Sequence, residues 1–212
     1  SRADGFYEGS GLLVSWCVGH LVSPMDAGGY DERFKKWRYD DLPILPEPFR
    51  YVLALGKEDA FENLRTLMNR PDVDTIVNAC DAGREGELIF RLMYEMAGCR
   101  KPVLRLWISS MEDSAIREGF SDLRPGTDYE ALYQSALCRQ KADWLVGINA
   151  TRLFSVLYHR TLNVGRVQTP TLAMLAERDA KITLFHKEKY HLLRLTLDGT
   201  EAVSEKFTDP TE

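Results

Sequence analysis

The chain has no long apolar run, no paired cysteines and no surplus of positive charge. None of its 212 residues belong to a stretch approaching the length of a membrane span, and no signal-peptide pattern opens it. Its four cysteines, Cys17, Cys80, Cys99 and Cys138, are scattered without a CxxC pair. They read as reduced core or near-surface thiols of a cytoplasmic protein. The net charge of −5 and a pI near 5.5 argue against a generic nucleic-acid coat protein. There is no internal repeat and no low-complexity tract.

What is there is an ordinary globular composition with an uneven charge distribution. Hydrophobic residues make up 44% and charged residues 28%, enough for a core in one large domain or two small ones. Between Arg139 and Arg166 the chain carries Arg139, Lys141, Arg152, Arg160 and Arg166 against Asp143 alone, a balance of +4 that leaves −9 for the remainder. A basic segment beside an acidic one suits an enzyme acting on a polyanion.

The acidic side is concentrated in one stretch. Thr75-Ile76-Val77-Asn78-Ala79-Cys80 leads into Asp81, and Arg84-Glu85-Gly86-Glu87 then opens an amphipathic helix with Leu88, Ile89, Leu92 and Met96 on one stripe. This is a strand, a tight turn and a helix start, the place where open α/β sheets bind ligands. The turn carries carboxylates where a dinucleotide site would carry three glycines. Carboxylates crowded at a helix start are offset in part by the helix dipole, and a hard divalent cation such as Mg²⁺ is the usual compensation. Arg84, set between the acids, is placed to meet a phosphate through a charge-assisted fork. An acidic helix N-terminus with Gly83 as a turn residue is common by itself; Asp-x-Gly-Arg-Glu-Gly-Glu directly after a buried strand is much rarer.

Taken in order, the chain alternates strand and helix patterns. Strands are expected at 12–18, 51–55, 76–80 and 103–108, and helices at 57–69, 85–98 and 112–123, with an irregular proline-containing segment over 26–48. This alternation predicts an α/β domain with a parallel sheet covered by helices, over residues 1–126. After Arg124-Pro125-Gly126-Thr127 the pattern becomes one long helix over 129–158, a loop, and a further helix to about Ile182. There Thr169 is expected as N-cap and Pro170 as first helical residue. Residues 127–186 thus read as a mostly helical domain and 187–212 as the start of a β domain or a tail, with a strand over 190–197.

Four stretches give the chain a resemblance to the type IA DNA topoisomerases, and within them to the topoisomerase III branch. Val14-Ser15-Trp16-Cys17-Val18-Gly19-His20-Leu21 is similar to the family's second sheet segment. The stretch Cys80 to Glu87 resembles the acidic motif of the Toprim domain, and Ser135 to Arg152 resembles the helix that follows it. Val164-Gly165-Arg166-Val167-Gln168-Thr169-Pro170 resembles a loop and helix start that bind single-stranded DNA. The resemblance implies a reaction: ATP-independent cleavage of one DNA strand through a tyrosyl phosphate, passage of another strand, and religation, with Mg²⁺ as cofactor. The expected fold is then a Toprim-type α/β domain followed by a helical part, in a monomer without membrane contact.

The resemblance also assigns roles. Asp81 and Glu85 fall on metal-binding acids, and Asp81, Arg84, Glu85 and Glu87 form the catalytic motif. His20, Arg84, Arg139, Asp143, Arg166, Gln168 and Thr169 are expected to contact DNA. One position departs: the family pattern reads Asp-x-Asp-Arg-Glu-Gly-Glu, and Gly83 stands where the second Asp would be. One carboxylate fewer predicts weaker Mg²⁺ binding or more water around the ion. In relatives a first strand with a Glu-Lys pair precedes the position of Ser1, and the nucleophilic tyrosine is expected beyond Glu212. Tyr158-His159-Arg160-Thr161 mimics the Tyr-x-Arg-Thr of that site, but Leu162 follows it where an Asp would stand, and it lies before Gly165-Arg166 instead of after. Tyr158 is therefore read as structural, on the apolar stripe of its helix, and the chain alone is not expected to cleave DNA.

Several residues have plainer readings. Arg139 and Asp143, one helical turn apart, could simply form an i,i+4 ion pair. Trp16, Trp37, Trp107 and Trp144 read as core or loop anchors, and Arg100, Lys101 and Arg105 as solvated surface. Toprim-bearing primases and nucleases would account for the acidic motif but not for 135–152 or 166–170. A non-catalytic DNA-binding module would follow if Gly83 abolished metal binding.

Overall fold

The computed structural model describes residues 2–3 and 5–209. They form two compact units, Ser1–Arg166 and Val167–Glu212. The first unit opens with an antiparallel sheet of β1 (Arg2–Ala3), β2 (Phe6–Gly9) and β3 (Leu12–Ser15), a hairpin hidden in a stretch that reads as merely polar and glycine-rich. Ser10 and Gly11, at φ 52° and 75°, make the two-residue turn, and Gly9 pairs with Leu12. Positive φ at both central residues gives the turn a twist that matches the flanking strands.

The chain then runs through β4 (Val22–Pro24), the single turn α1 (Ala27–Tyr30), and two 3-10 turns at Glu32–Lys35 and Tyr39–Asp41. It returns as β5 (Tyr51–Leu53), antiparallel to β4. The excursion over 26–48 packs Ala27, Phe34 and Ile44 into a small core of its own with Trp144 and Ile148. Next come α2 (Glu58–Asn69), β6 (Ile76–Asn78), α3 (Arg84–Met96), β7 (Val103–Arg105), α4 (Asp113–Ser121), β8 (Arg124–Pro125) and the 29-residue α5 (Glu130–Tyr158).

The architecture is mixed α/β, with a Toprim-like region followed by a helical part, as the sequence pattern predicts. Its sheet is smaller than the pattern suggests. Among the described residues only β6 and β7 pair in parallel, Ile76 opposite Val103; β8 joins β7 antiparallel. Parallel neighbours need a crossover of a dozen or more residues, and α3 supplies it between β6 and β7. The β4–β5 pair, joined by the irregular excursion, closes antiparallel instead.

The main core lies where β4, α2, α3 and α5 meet, built from Leu21, Val22, Phe61, Leu64, Leu88, Leu92, Met93, Tyr133 and Ala136. Leu88 and Leu92 are one helical turn apart, so the stripe read from the sequence does face inward. A second cluster, Ile76, Phe90 and Cys99, fills the other side of α3. The long α5 therefore packs on α3 as part of the first unit. All four cysteines are free. No helix among the described residues is long and apolar enough to cross a membrane.

The second unit consists of α6 (Gln168–Thr183) and a hairpin of β9 (Arg194–Leu197) and β10 (Thr200–Val203). The helix starts earlier than its capping signals indicate. Val167 is the N-cap residue, and Thr169 and Pro170 lie within the first turn. The polar tail contains β10; its last residues, 210–212, lie outside the described residues.

Candidate functional site: the acidic turn and the adjoining cleft

The turn after β6 is tied down from several directions. Asn78, 1% exposed, accepts at Oδ1 from the Cys80 amide at 3.1 Å and donates from Nδ2 to Glu87 at 2.9 Å. The Gly83 amide donates to the Asp81 carbonyl at 2.8 Å, closing the turn, and the Glu87 amide donates to the Gly83 carbonyl at 3.1 Å, opening α3. No side chain caps the helix; its N-cap is Gly83. The free amides of this first turn point toward any anion held at the strand end.

Gly86 is required by this arrangement: a Cβ there would lie 2.2 Å from the Asp81 carbonyl oxygen. Gly83 is not so constrained. Its φ of 179° is extended backbone open to any residue, and a Cβ would meet nothing within 4 Å.

The motif's acids divide into two groups. Asp81 and Glu85 are exposed, with Arg84 beside them. Glu87 is 1% exposed and enclosed by cations: Arg91 Nε donates to it at 2.9 Å, and Arg105 Nε lies 3.2 Å away. Glu87, expected among the catalytic acids, is thus paired with two arginines inside the fold. Its place in the helical repeat explains this, because residue 87 precedes the buried Leu88 on the inward edge of α3.

Arg105 corrects the sequence reading outright. Expected on the surface, it is 0% exposed. Burial pulls its guanidinium below the usual value, opposed by the charge of Glu87.

Beside the turn lies an open cleft of about 230 Å³, lined by His20, Ser23, Glu85, Leu88, Arg139, Gln140 and Asp143 among others. His20 Nε2 and Glu85 Oε1 are 2.7 Å apart, joining the loop after β3 to the start of α3. On α5, Asp143 faces two arginines: Arg166 Nε donates to it at 2.8 Å, and Arg139 Nε stands 3.8 Å away. The i,i+4 pair expected from spacing is present but is the looser of the two. The side-chain oxygen of Gln140 is buried with no protein partner among the described residues. Five expected residues, His20, Glu85, Arg139, Asp143 and Arg166, are thus brought to or next to one cleft. Gln168 and Thr169 belong to the start of α6 in the second unit.

Tyr158, assigned to the apolar stripe of α5, is instead 62% exposed, near the helix end, where it stacks on Phe154 at 6.4 Å. The left-handed His159 cap, at φ 52°, ends the helix there.

Cys17 and Cys80 meet behind the turn. Their thiols share a hydrogen bond that pushes Cys17 up, with burial adding to it, and pulls Cys80 down.

Comparison with known proteins matches this arrangement to one class. A family described as DNA topoisomerase matches residues 127–211. DNA topoisomerase 3 of Bacillus subtilis (strain 168) is 48% identical over 198 residues, 93% of this chain and 27% of the relative. The Bacillus licheniformis protein of the same name is 46% identical, again over 93% of this chain and 27% of the relative. The solved structure of full-length topoisomerase I from Thermotoga maritima superposes with a TM-score of 0.59 at 25% identity, covering 92% of this chain and 32% of that one. The chain is similar to DNA topoisomerases over nearly its whole length. These curated relatives carry the name DNA topoisomerase 3, and the chain spans about a quarter of their length (27%).

Proposed function

We propose that this chain forms the acidic half of a type IA topoisomerase active site, which binds single-stranded DNA and takes part in ATP-independent strand cleavage, passage and religation. The observation that carries the reading is the cleft itself, where Glu85 and His20 of the acidic-turn side face Arg139 and Asp143 of α5. A phosphodiester held there has cations on one side and the helix start on the other. Arg84 and Arg139 neutralise its oxygens, and Glu85, fixed by His20, is a proton acceptor or donor for the sugar hydroxyl released on cleavage. Gln168 and Thr169, in the first turn of α6, offer the DNA backbone a helix N-terminus in the second unit.

Mg²⁺ is the proposed cofactor. Among the described residues no group of three or more Asp, Glu, His or Cys stands together. Two exposed carboxylates, Asp81 and Glu85, nevertheless suit an ion that commonly takes one or two carboxylates and completes its shell with water and substrate phosphate. Glu87 is committed to Arg105 and Arg91, and Gly83 offers no ligand. When bound, the ion would stabilise negative charge on the phosphate oxygens. The nucleophilic tyrosine is assigned to sequence outside this chain, and the setting is proposed to be a cytoplasmic monomer.

The test uses the full-length polypeptide. Asp81→Asn and Glu85→Gln are expected to abolish relaxation of negatively supercoiled DNA while single-strand binding in chelator persists. Retained relaxation in both variants would refute the reading. Loss of single-strand binding with unchanged metal dependence would favour a non-catalytic DNA-binding module.

A further inference from the structure

We propose that Arg105 is a positioning residue that shapes the acidic turn from beneath, and that Glu87 serves the site by neutralising Arg105. This deepens the proposed function and rests on it for its consequence in DNA cleavage. The geometry is specific. Arg105 Nη1 donates to the carbonyls of Asn78 at 2.9 Å, Cys80 at 2.7 Å and Leu106 at 2.9 Å, and Nη2 donates to the carbonyl of Asp81 at 2.6 Å. The side chain therefore grips three carbonyls, those of Asn78, Cys80 and Asp81, along the end of β6 and the turn that carries Asp81. None of these bonds goes to a substrate-facing atom. All of them fix backbone.

A purely structural ion pair would not need this pattern. Burying a guanidinium is costly unless it is bonded and paired. Nη1 and Nη2 bond carbonyls, and Nε, which makes no hydrogen bond among the described residues, stands 3.2 Å from the Glu87 carboxylate. Three of the four carbonyls bonded lie at the end of β6 and in the turn whose shape decides where Asp81 stands. The opposite side of that turn is closed by Gly86, packed against the Asp81 carbonyl. The Asp81 peptide is thus held between a guanidinium and a helix start.

Arg105 is 0% exposed, and two stacked rings, Trp107 and Tyr129, with centroids 5.2 Å apart, lie beside its guanidinium. Arg105 Cζ lies 5.0 Å and 6.0 Å from their centroids. Inside such an enclosure each bond is stronger than in water. The third acid of the motif now has a reason to be buried: Glu87 supplies the charge that lets Arg105 remain under the turn.

Arginine is required by the number and plane of its donors, which lysine lacks. The Gly83 amide, bonded to the Asp81 carbonyl, reports directly on the turn. In Arg105→Lys its hydrogen exchange is expected to rise about tenfold, the effect of weakening a charged hydrogen bond. The amides of Leu92 and Met93 in the core of α3 should be unchanged. In the full-length polypeptide, oligonucleotide cleavage at saturating DNA should fall about tenfold, with single-strand affinity in chelator unaltered. Arg152→Lys, a change to a second buried arginine, serves as the control for general destabilisation. Where Arg105→Lys fails to fold, Glu87→Gln keeps the shape and removes the counter-ion, and should move the same readouts in the same direction.

Unchanged Gly83 exchange would overturn the proposal, as would an equal rise at Leu92 and Met93 or the same cleavage loss in Arg152→Lys. Asp81→Asn separates this from the reading it rests on. If that variant cleaves normally, the proposed function fails whatever Gly83 exchange shows. If it is inactive while Arg105→Lys is normal, only the role of Arg105 fails.

Discussion

Gly86 and Asp81 are in contact across the turn: a Cβ on Gly86 would lie 2.2 Å from the Asp81 carbonyl oxygen and 2.8 Å from its amide nitrogen. Backbone, not a flexible side chain, occupies the space, so neither partner can yield cheaply. Gly86→Ala is expected to displace the turn and cost about 1–3 kcal/mol of stability, as overpacking does. Thermal unfolding measures the cost, and an unchanged melting temperature would contradict it.

Gly83, three residues earlier, should behave in the opposite way. Its backbone is extended and its surroundings are open. Gly83→Asp should leave stability within about 0.5 kcal/mol, as surface substitutions do. It should also strengthen Mg²⁺ binding several-fold by restoring a carboxylate. Calorimetric titration of both proteins with Mg²⁺ decides the matter; equal affinities would count against a site at this turn.

His20 and Glu85 meet at 2.7 Å across the mouth of the cleft, both substantially exposed. His20→Ala should therefore change stability little, by less than about 1 kcal/mol. It should lower cleavage at saturating DNA in the full-length polypeptide, because Glu85 loses the group that orients it. A full cleavage rate with Glu85 unpartnered would remove His20 from the site.

Arg166 shares Asp143 with Arg139, so its charge is only partly free until a phosphate competes. If it contacts one phosphate, Arg166→Ala should weaken single-strand binding at all sequences. It should also reduce the slope of log affinity against log salt by about 0.7. Fluorescence anisotropy over a salt series reads both quantities, and a parallel shift with the slope intact would place Arg166 away from the backbone.

The core predicts an alkaline limit to stability. Burial pushes the Tyr51 phenol from 10.0 up to about 12. Burial and the neighbouring Glu95, which also bonds it, raise Tyr133 further. The folded chain therefore holds protons that the unfolded chain releases above pH 10. This stability is full below pH 10 and is lost as pH rises through 12. Tyr51→Phe should blunt that loss in denaturant titrations between pH 9 and 12; an identical pH profile would show that the phenol is not protected.

Much of the site was readable without coordinates because its signals are local. The strand, turn and helix around Asp81 follow from β-branched residues, a glycine and a 3.6-residue stripe, all within twenty residues. The hairpin of β2 and β3 was missed because Ser10-Gly11 is a weaker turn signal than Asn-Gly and its strands are half exposed. Arg105 was misread for a similar reason. A charged residue in a strand reads as solvated unless its partner is known, although its place inside Val-Leu-Arg-Leu-Trp-Ile was a hint that it lay within a buried run.

The amino-acid sequence by itself determined the alternation of strand and helix from β5 to α5, the resemblance to the topoisomerases and the acidic character of the turn, since these depend on neighbouring residues and their periodicity. Only the tertiary structure decided which charges face the solvent and which face each other. Glu87 and Arg105 lie on different elements, His20 and Glu85 are 65 residues apart, and Asp143 and Arg166 are 23 apart. Periodicity assigns a side chain to a face, but its electrostatic role depends on what the rest of the fold brings against that face. At this turn the fold brings a buried guanidinium, and one of the motif's acids turns inward to meet it.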